Sequence, residues 1–129
     1  MVFLPGTRYL LRAKDRIDAR YHDELDVATL ARIAHVSPAH FTREFRRAFG
    51  ETPHQYLLTR RLERAAALLR GTDLSVADIC LAVGLRSIGS FTTSFRRVYG
   101  MSPTQYRSAR PPIERARVPT CGKARDELR

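Results

Sequence analysis

Acidic side chains are scarce in this chain, and cysteine is scarcer. Thirteen Asp and Glu stand against 23 Lys and Arg over 129 positions, with only two cysteines. The cysteines, Cys80 and Cys121, have no metal or redox spacing, which argues against a disulfide framework or a zinc site. Both are expected to be free thiols in a reducing cytoplasm, with Cys80 a small core residue inside a helical pattern. Long hydrophobic runs are also missing. The longest, Ala65 to Leu69, falls well short of a membrane span. The apolar start MVFLP is too short for a signal h-region and follows no basic segment. Paired carboxylates, a nucleophile beside a base and a Gly-rich phosphate loop are all absent, so neither an enzyme nor a bound cofactor is expected. His22 and His54 read as surface residues. His35 and His40 lack a carboxylate or cysteine at ligand spacing, so no metal is expected either.

What the chain does have is positive charge. The formal net charge is +10 and the pI is near 10.7. That balance favours a polyanionic partner, either nucleic acid or an acidic membrane surface. Arginine dominates over lysine, which suits forked recognition of phosphates and guanine edges.

The chain also repeats itself. FRRAFGETPHQY, from Phe45 to Tyr56, returns as FRRVYGMSPTQY, from Phe95 to Tyr106. Upstream, Val27, Leu30, Ala31, Ala34 and Val36 match Val76, Ile79, Cys80, Val83 and Leu85. The register slips by one residue within Arg86 to Ser90, where a turn can absorb it. Each unit covers about thirty residues. Within it, a first helix follows Asp26 as N-cap, and its pattern breaks at His35-Val36 or Gly84-Leu85. Glycine adopts the left-handed backbone freely, and histidine is among the residues that tolerate it. A second helix starts at Ser37-Pro38 and carries the apolar stripe Phe41, Phe45, Ala48 and Phe49. Its twin stripe is Phe91, Phe95, Val98 and Tyr99. Gly50 and Gly100 end these helices. The small residues Ala31 and Cys80 would let the paired helices cross closely.

Thr52-Pro53-His54-Gln55 and Ser102-Pro103-Thr104-Gln105 are capping boxes that open a third helix in each copy. The first of these runs from Pro53 to about Leu69, stopped by Gly71, as a rod roughly 25 Å long that could hold two units side by side. An initial helix covers about Thr7 to Tyr21. The expected architecture is all-α, with about seven helices in two helix-turn-helix subdomains joined by a long linker helix. Residues 1–52 form the N-terminal helix and first helix-turn-helix, and 53–70 the linker. Residues 71–110 form the second helix-turn-helix, and 111–129 a disordered basic tail.

With Phe41 at zero on a helical wheel, the core stripe centres near about 30°. The opposite face carries Ala39, His40, Arg43, Arg46 and Arg47. Its twin carries Gly89, Ser90, Thr93, Arg96 and Arg97. A recognition helix reads bases from its N-terminal half. Ala39, His40, Thr42 and Arg43 are therefore the expected base readers of the first half-site, with Arg43 forked onto a guanine. Ser37, Arg46 and Arg47 are expected on phosphates. In the second copy the readers are Gly89, Ser90, Thr92 and Thr93, and the backbone contacts Arg86, Ser87, Arg96 and Arg97. Two arginine pairs at one angle on twin helices, in a strongly basic chain, make DNA the expected partner. Strong sequence choice is expected at the first half-site and loose choice at the second.

These residues resemble the DNA-binding region of the AraC/XylS family of bacterial transcription regulators, over roughly Thr7 to Arg110. The resemblance implies recognition helices Ser37–Phe49 and Ser87–Tyr99 in successive major grooves, about one turn apart. It also implies activation more often than repression, through RNA polymerase, in the bacterial cytoplasm at the nucleoid. Since few residues precede the first helix, the chain is similar to a stand-alone member; because both units lie in one chain, it is expected to bind a non-palindromic site as a monomer. Two alternatives are a non-specific nucleoid-type DNA binder and the DNA-binding fragment of a larger effector-responsive regulator.

Overall fold

Polar caps open helix after helix along this chain. The computed structural model describes residues 8–109; the expected tail over 111–129 and Cys121 lie outside them. The elements are α1 (Arg8–Arg20), α2 (Val27–Ile33), α3 (Pro38–Phe49), α4 (Pro53–Gly71), α5 (Val76–Ala82), α6 (Ile88–Tyr99) and α7 (Pro103–Ala109). The fold is all-α. Asp26 accepts from the Thr29 amide at 2.7 Å to start α2, and Ser75 does the same for α5 from Asp78 at 3.0 Å. Both capping boxes are reciprocal. The Thr52 amide donates to Gln55 Oε1 at 3.0 Å while the Gln55 amide donates to Thr52 Oγ1 at 3.2 Å. Ser102 and Gln105 exchange the same bonds at 2.9 and 3.1 Å. Each box satisfies two amide donors that a helix start leaves open.

The chain divides into two compact units, Met1–Arg60 and Arg61–Arg129, and the division falls inside α4. In the first unit, α3 packs on α1 and α2. The core joins Leu10, Ala13 and Ile17 of α1, Leu30 and Ala31 of α2, Phe41 and Phe45 of α3, and Tyr56 and Leu57 of α4. Each fully buried Phe contributes on the order of 1.5–3 kcal/mol. Tyr56 is tied down at its polar end, its hydroxyl donating to the Asp18 carboxylate. Burial first, and then this bond, push the Tyr56 pKa upward. Lys14 lies 5.3 Å above the same ring and 5.8 Å from that of Phe49, a favourable cation placement.

In the second unit, α6 packs on α5 and α7. Ile79, Cys80, Val83 and Phe95 are fully buried, and Phe91 nearly so. Leu62, Ala65 and Leu69 of α4 are buried too. Their spacing repeats that of Leu10, Ala13 and Ile17, so the later half of α4 gives the second unit what α1 gives the first. The repeat is thus longer than the FRR passages alone indicate. Tyr106 packs edge-on against Phe95 at 5.3 Å. Arg107 reaches back to three carbonyls, Leu69 O at 2.9 Å, Thr72 O at 3.2 Å and Leu74 O at 2.7 Å. It closes the end of α4 and fixes the loop before α5.

The breaks fall where expected. His35 has φ 63° and Gly84 φ 92°, so both turns pass through the left-handed region. Two details differ from expectation. Val98, placed in the core stripe, is 54 % exposed. Tyr99 takes that end of the core instead, stacking on Phe95 at 4.5 Å and meeting Tyr106 at 5.2 Å. Gly71, expected to stop α4 just after Leu69, is itself the last residue of the helix. The Thr72 hydroxyl bonds Leu68 O at 2.7 Å there, so side-chain capping ends the helix.

Candidate nucleic-acid interface

Two serine-capped helices present the proposed readers. Ser37 Oγ accepts from the His40 amide at 3.1 Å and Ser87 Oγ from the Ser90 amide at 3.1 Å. An accepting hydroxyl keeps its own proton, so each serine can still donate to an acceptor outside the helix. Phe41 and Phe45 bury one face of α3, and Phe91 and Phe95 bury one face of α6. That leaves Ala39, Arg43, Arg46 and Arg47 exposed on α3, with His40 and Thr42 half-buried at its edge. On α6, Gly89, Ser90, Thr93, Arg96 and Arg97 are exposed and Thr92 is half-buried, while Arg86 and Ser87 are exposed just before it. Core packing therefore turns the expected residues outward, on each unit separately.

The two faces differ in chemistry. Arg47 is tied to Glu44, with Nη1 at 3.1 Å from Oε2 and 3.4 Å from Oε1. Glu44 was missed by the sequence reading, although an acid three residues before an arginine is a legible signal. Its twin is Ser94, which leaves Arg97 without that acid. Arg43 has no hydrogen-bonding or ionic partner among the described residues. The second face is a shallow hollow lined by Gly89, Ser90, Thr93, Ser94 and Arg97. The Thr93 hydroxyl donates to Gly89 O at 3.0 Å, so it offers an outside group a methyl and an acceptor. A Cβ at Gly89 would meet only Ser87 Oγ at 3.8 Å. Packing thus has no need of glycine there. Cys80 is buried, and burial pushes its thiol pKa up, as expected of an inert core thiol. Among the described residues no helix is long and apolar enough to cross a membrane.

Two capped helix-turn-helix units with basic outer faces define a double helix-turn-helix protein of the DNA-binding class. The model of a helix-turn-helix domain family matches residues 30–109, well over half of the chain, and the chain belongs to this AraC-type helix-turn-helix family of transcription regulators. It is similar to the C-terminal domain of AraT, a response regulator from Geobacillus stearothermophilus. That match has TM-score 0.77 and 26 % identity, over 95 % of this chain and 98 % of that one. It is also similar to the DNA-binding domain of the global transcriptional factor AdpA, solved with a target DNA. There the TM-score is 0.74 and the identity 37 %, over 78 % and 90 % of the two chains. The regulator CdhR of Pseudomonas aeruginosa is 33 % identical over 82 residues, 64 % of this chain and 24 % of that protein. The chain spans only 20 % to 39 % of the length of the curated relatives it matches.

Proposed function

We propose that this chain is a sequence-specific regulator, and an activator, that reads a non-palindromic bipartite site in two successive major grooves. One observation carries the proposal: α3 and α6 share a serine cap, a buried phenylalanine stripe and an outward Arg-Arg pair. A helix so built enters a major groove with its N-terminal half against base edges. Ala39, His40, Thr42 and Arg43 read the first half-site, and Arg43, unencumbered by an acid, forks onto a guanine. Gly89, Ser90, Thr92 and Thr93 approach the second closely but loosely. Ser37, Arg46, Arg47, Arg86, Ser87, Arg96 and Arg97 hold phosphates. The DNA complex of the AdpA domain, 37 % identical, supports duplex DNA as the partner. Because one chain carries both readers, it binds as a monomer. It acts in the bacterial cytoplasm, at the nucleoid, and contacts RNA polymerase.

Selection of bound duplexes from a random pool, at physiological salt, tests this. The expected result is two enriched blocks about one helical turn apart within roughly twenty base pairs. One block contains a guanine and is sharper than the other. No enriched block, with equal affinity for all duplexes and a steep salt slope, overturns the reading in favour of a non-specific binder. A homodimer in DNA-free solution overturns the monomer.

A further inference from the structure

The first unit has a second surface that the DNA reading does not use. A groove of about 330 Å³ lies between α1 and α2. Ala13, Leu30 and Ala34 form its apolar base, and Tyr9 and Ile33 stand at its sides. Ile33 is 56 % exposed, a large apolar side chain facing water beside an open cleft. Arg12, Arg16 and His35 complete the lining, and no carboxylate contributes to it. With Arg8 the two arginines form a stripe at one-turn spacing along α1, and all three are exposed. None of the three has an ion pair or hydrogen bond among the described residues.

The fold does not require this surface. At the twin positions of the second unit, Leu68 stands for Arg16, Ala82 for Ile33 and Gly84 for His35. A unit of the same build therefore manages without the second arginine and without the isoleucine. Nor is the groove part of the reading face, since no residue of α3 lines it. Phosphates alone would explain the arginines but not the apolar base or the exposed isoleucine.

We propose that the α1–α2 groove docks an acidic amphipathic helix of a partner protein. The apolar face of that helix settles on Ile33 and Leu30, and its carboxylates meet Arg8, Arg12 and Arg16. An apolar groove rimmed by one sign of charge selects a helix of this pattern, through its apolar anchors and its opposite charge.

The test is an NMR titration of the full chain with a synthetic amphipathic helix, leucines on one face and glutamates on the other. A second peptide carries lysine in place of glutamate. The acidic peptide is expected to bind saturably, with shifts centred on Tyr9, Arg12, Ile33 and Ala34. Ile33→Asp, and the double change Arg12→Glu with Arg16→Glu, are expected to weaken it about tenfold or more. The double change should also admit the lysine peptide. All three positions are exposed, and the milder Ile33→Ser and Arg12→Gln are compared if a melting curve shows lost structure. Shifts centred on the arginines of α3 or α6, or no saturable binding, overturn the proposal. A repeat with duplex bound should leave the groove shifts in place. Their loss would reassign Arg8, Arg12 and Arg16 to the DNA backbone. The DNA-free titration stands whether or not the proposed DNA site holds.

Discussion

The two units solve one packing problem with different chemistry. Each lays a buried phenylalanine pair against a first helix and closes the core with a tyrosine from a capping-box helix. In the first unit that tyrosine, Tyr56, is secured by the Asp18 carboxylate and roofed by Lys14. In the second, Tyr106 sits among Phe95 and Tyr99, and the polar tie is Arg107 on three carbonyls. The position matching Arg107 is Leu57, buried in the first core. The helices and caps are common to both. The polar ties are individual, and so are the outer faces.

The sharpest way to break this comparison is at the polar tie. Arg107→Met leaves three carbonyls without their charged donor and should destabilise the second unit by about 3 kcal/mol. Leu57→Met at the twin position should cost under about 1.5 kcal/mol. Urea unfolding monitored by tyrosine fluorescence measures both, and equal losses would remove the distinction.

The reading faces come next. Arg43→Ala should lose about 1–3 kcal/mol on the selected duplex and little on random DNA. Thr93→Ala should lose far less on either, because the Thr93 hydroxyl already serves Gly89 O. Competition binding against random duplex decides, and a Thr93 effect as large as that of Arg43 would sink the asymmetry.

A smaller effect separates the two arginine pairs. Arg97→Ala should weaken binding evenly across sequences and lower the salt slope by about one. Arg47→Ala should do less, because Glu44 already neutralises part of that charge. Glu44→Ala should then strengthen binding to every duplex, whereas Ser94→Ala should not. Affinities over a salt series report all four.

The smallest effect is a difference in acid. Asp26 caps α2, and the hydrogen bonds from Thr29 hold its carboxyl below the usual carboxylate range. A lowered folded-state pKa gives stability that is present above the ordinary carboxylate pKa and is lost as pH falls through the folded value. The cap of the first unit should therefore weaken below about pH 4, while Ser75, which does not titrate, keeps its cap. Asp26→Ser should flatten that part of the acid profile in thermal melts at low pH. An unchanged profile would mean that other carboxylates govern it.

Local chemistry made much of this molecule legible. Asp26, Ser37-Pro38, Thr52-Gln55 and Ser102-Gln105 mark helix starts because a side-chain oxygen and an amide two or three residues on must meet. The stripes through Phe41 and Phe91 mark buried faces because apolar side chains at helical spacing share one side. Exposure of Arg43, Arg46, Arg96 and Arg97 follows from those stripes. Val98 escaped the rule because Tyr99, larger and one position on, fills the end of the core.

Sequence by itself thus determined the helices, their caps, the repeat and the outward basic faces, all of which depend on neighbours within a turn or two. Tertiary structure alone decided three things. It gave the later half of α4 the role of α1. It brought Arg107 to the carbonyls of Leu69, Thr72 and Leu74. It left a basic-rimmed groove between α1 and α2. Each joins residues far apart in the chain, and local spacing carries no record of which distant surfaces the collapse of an apolar core will bring together.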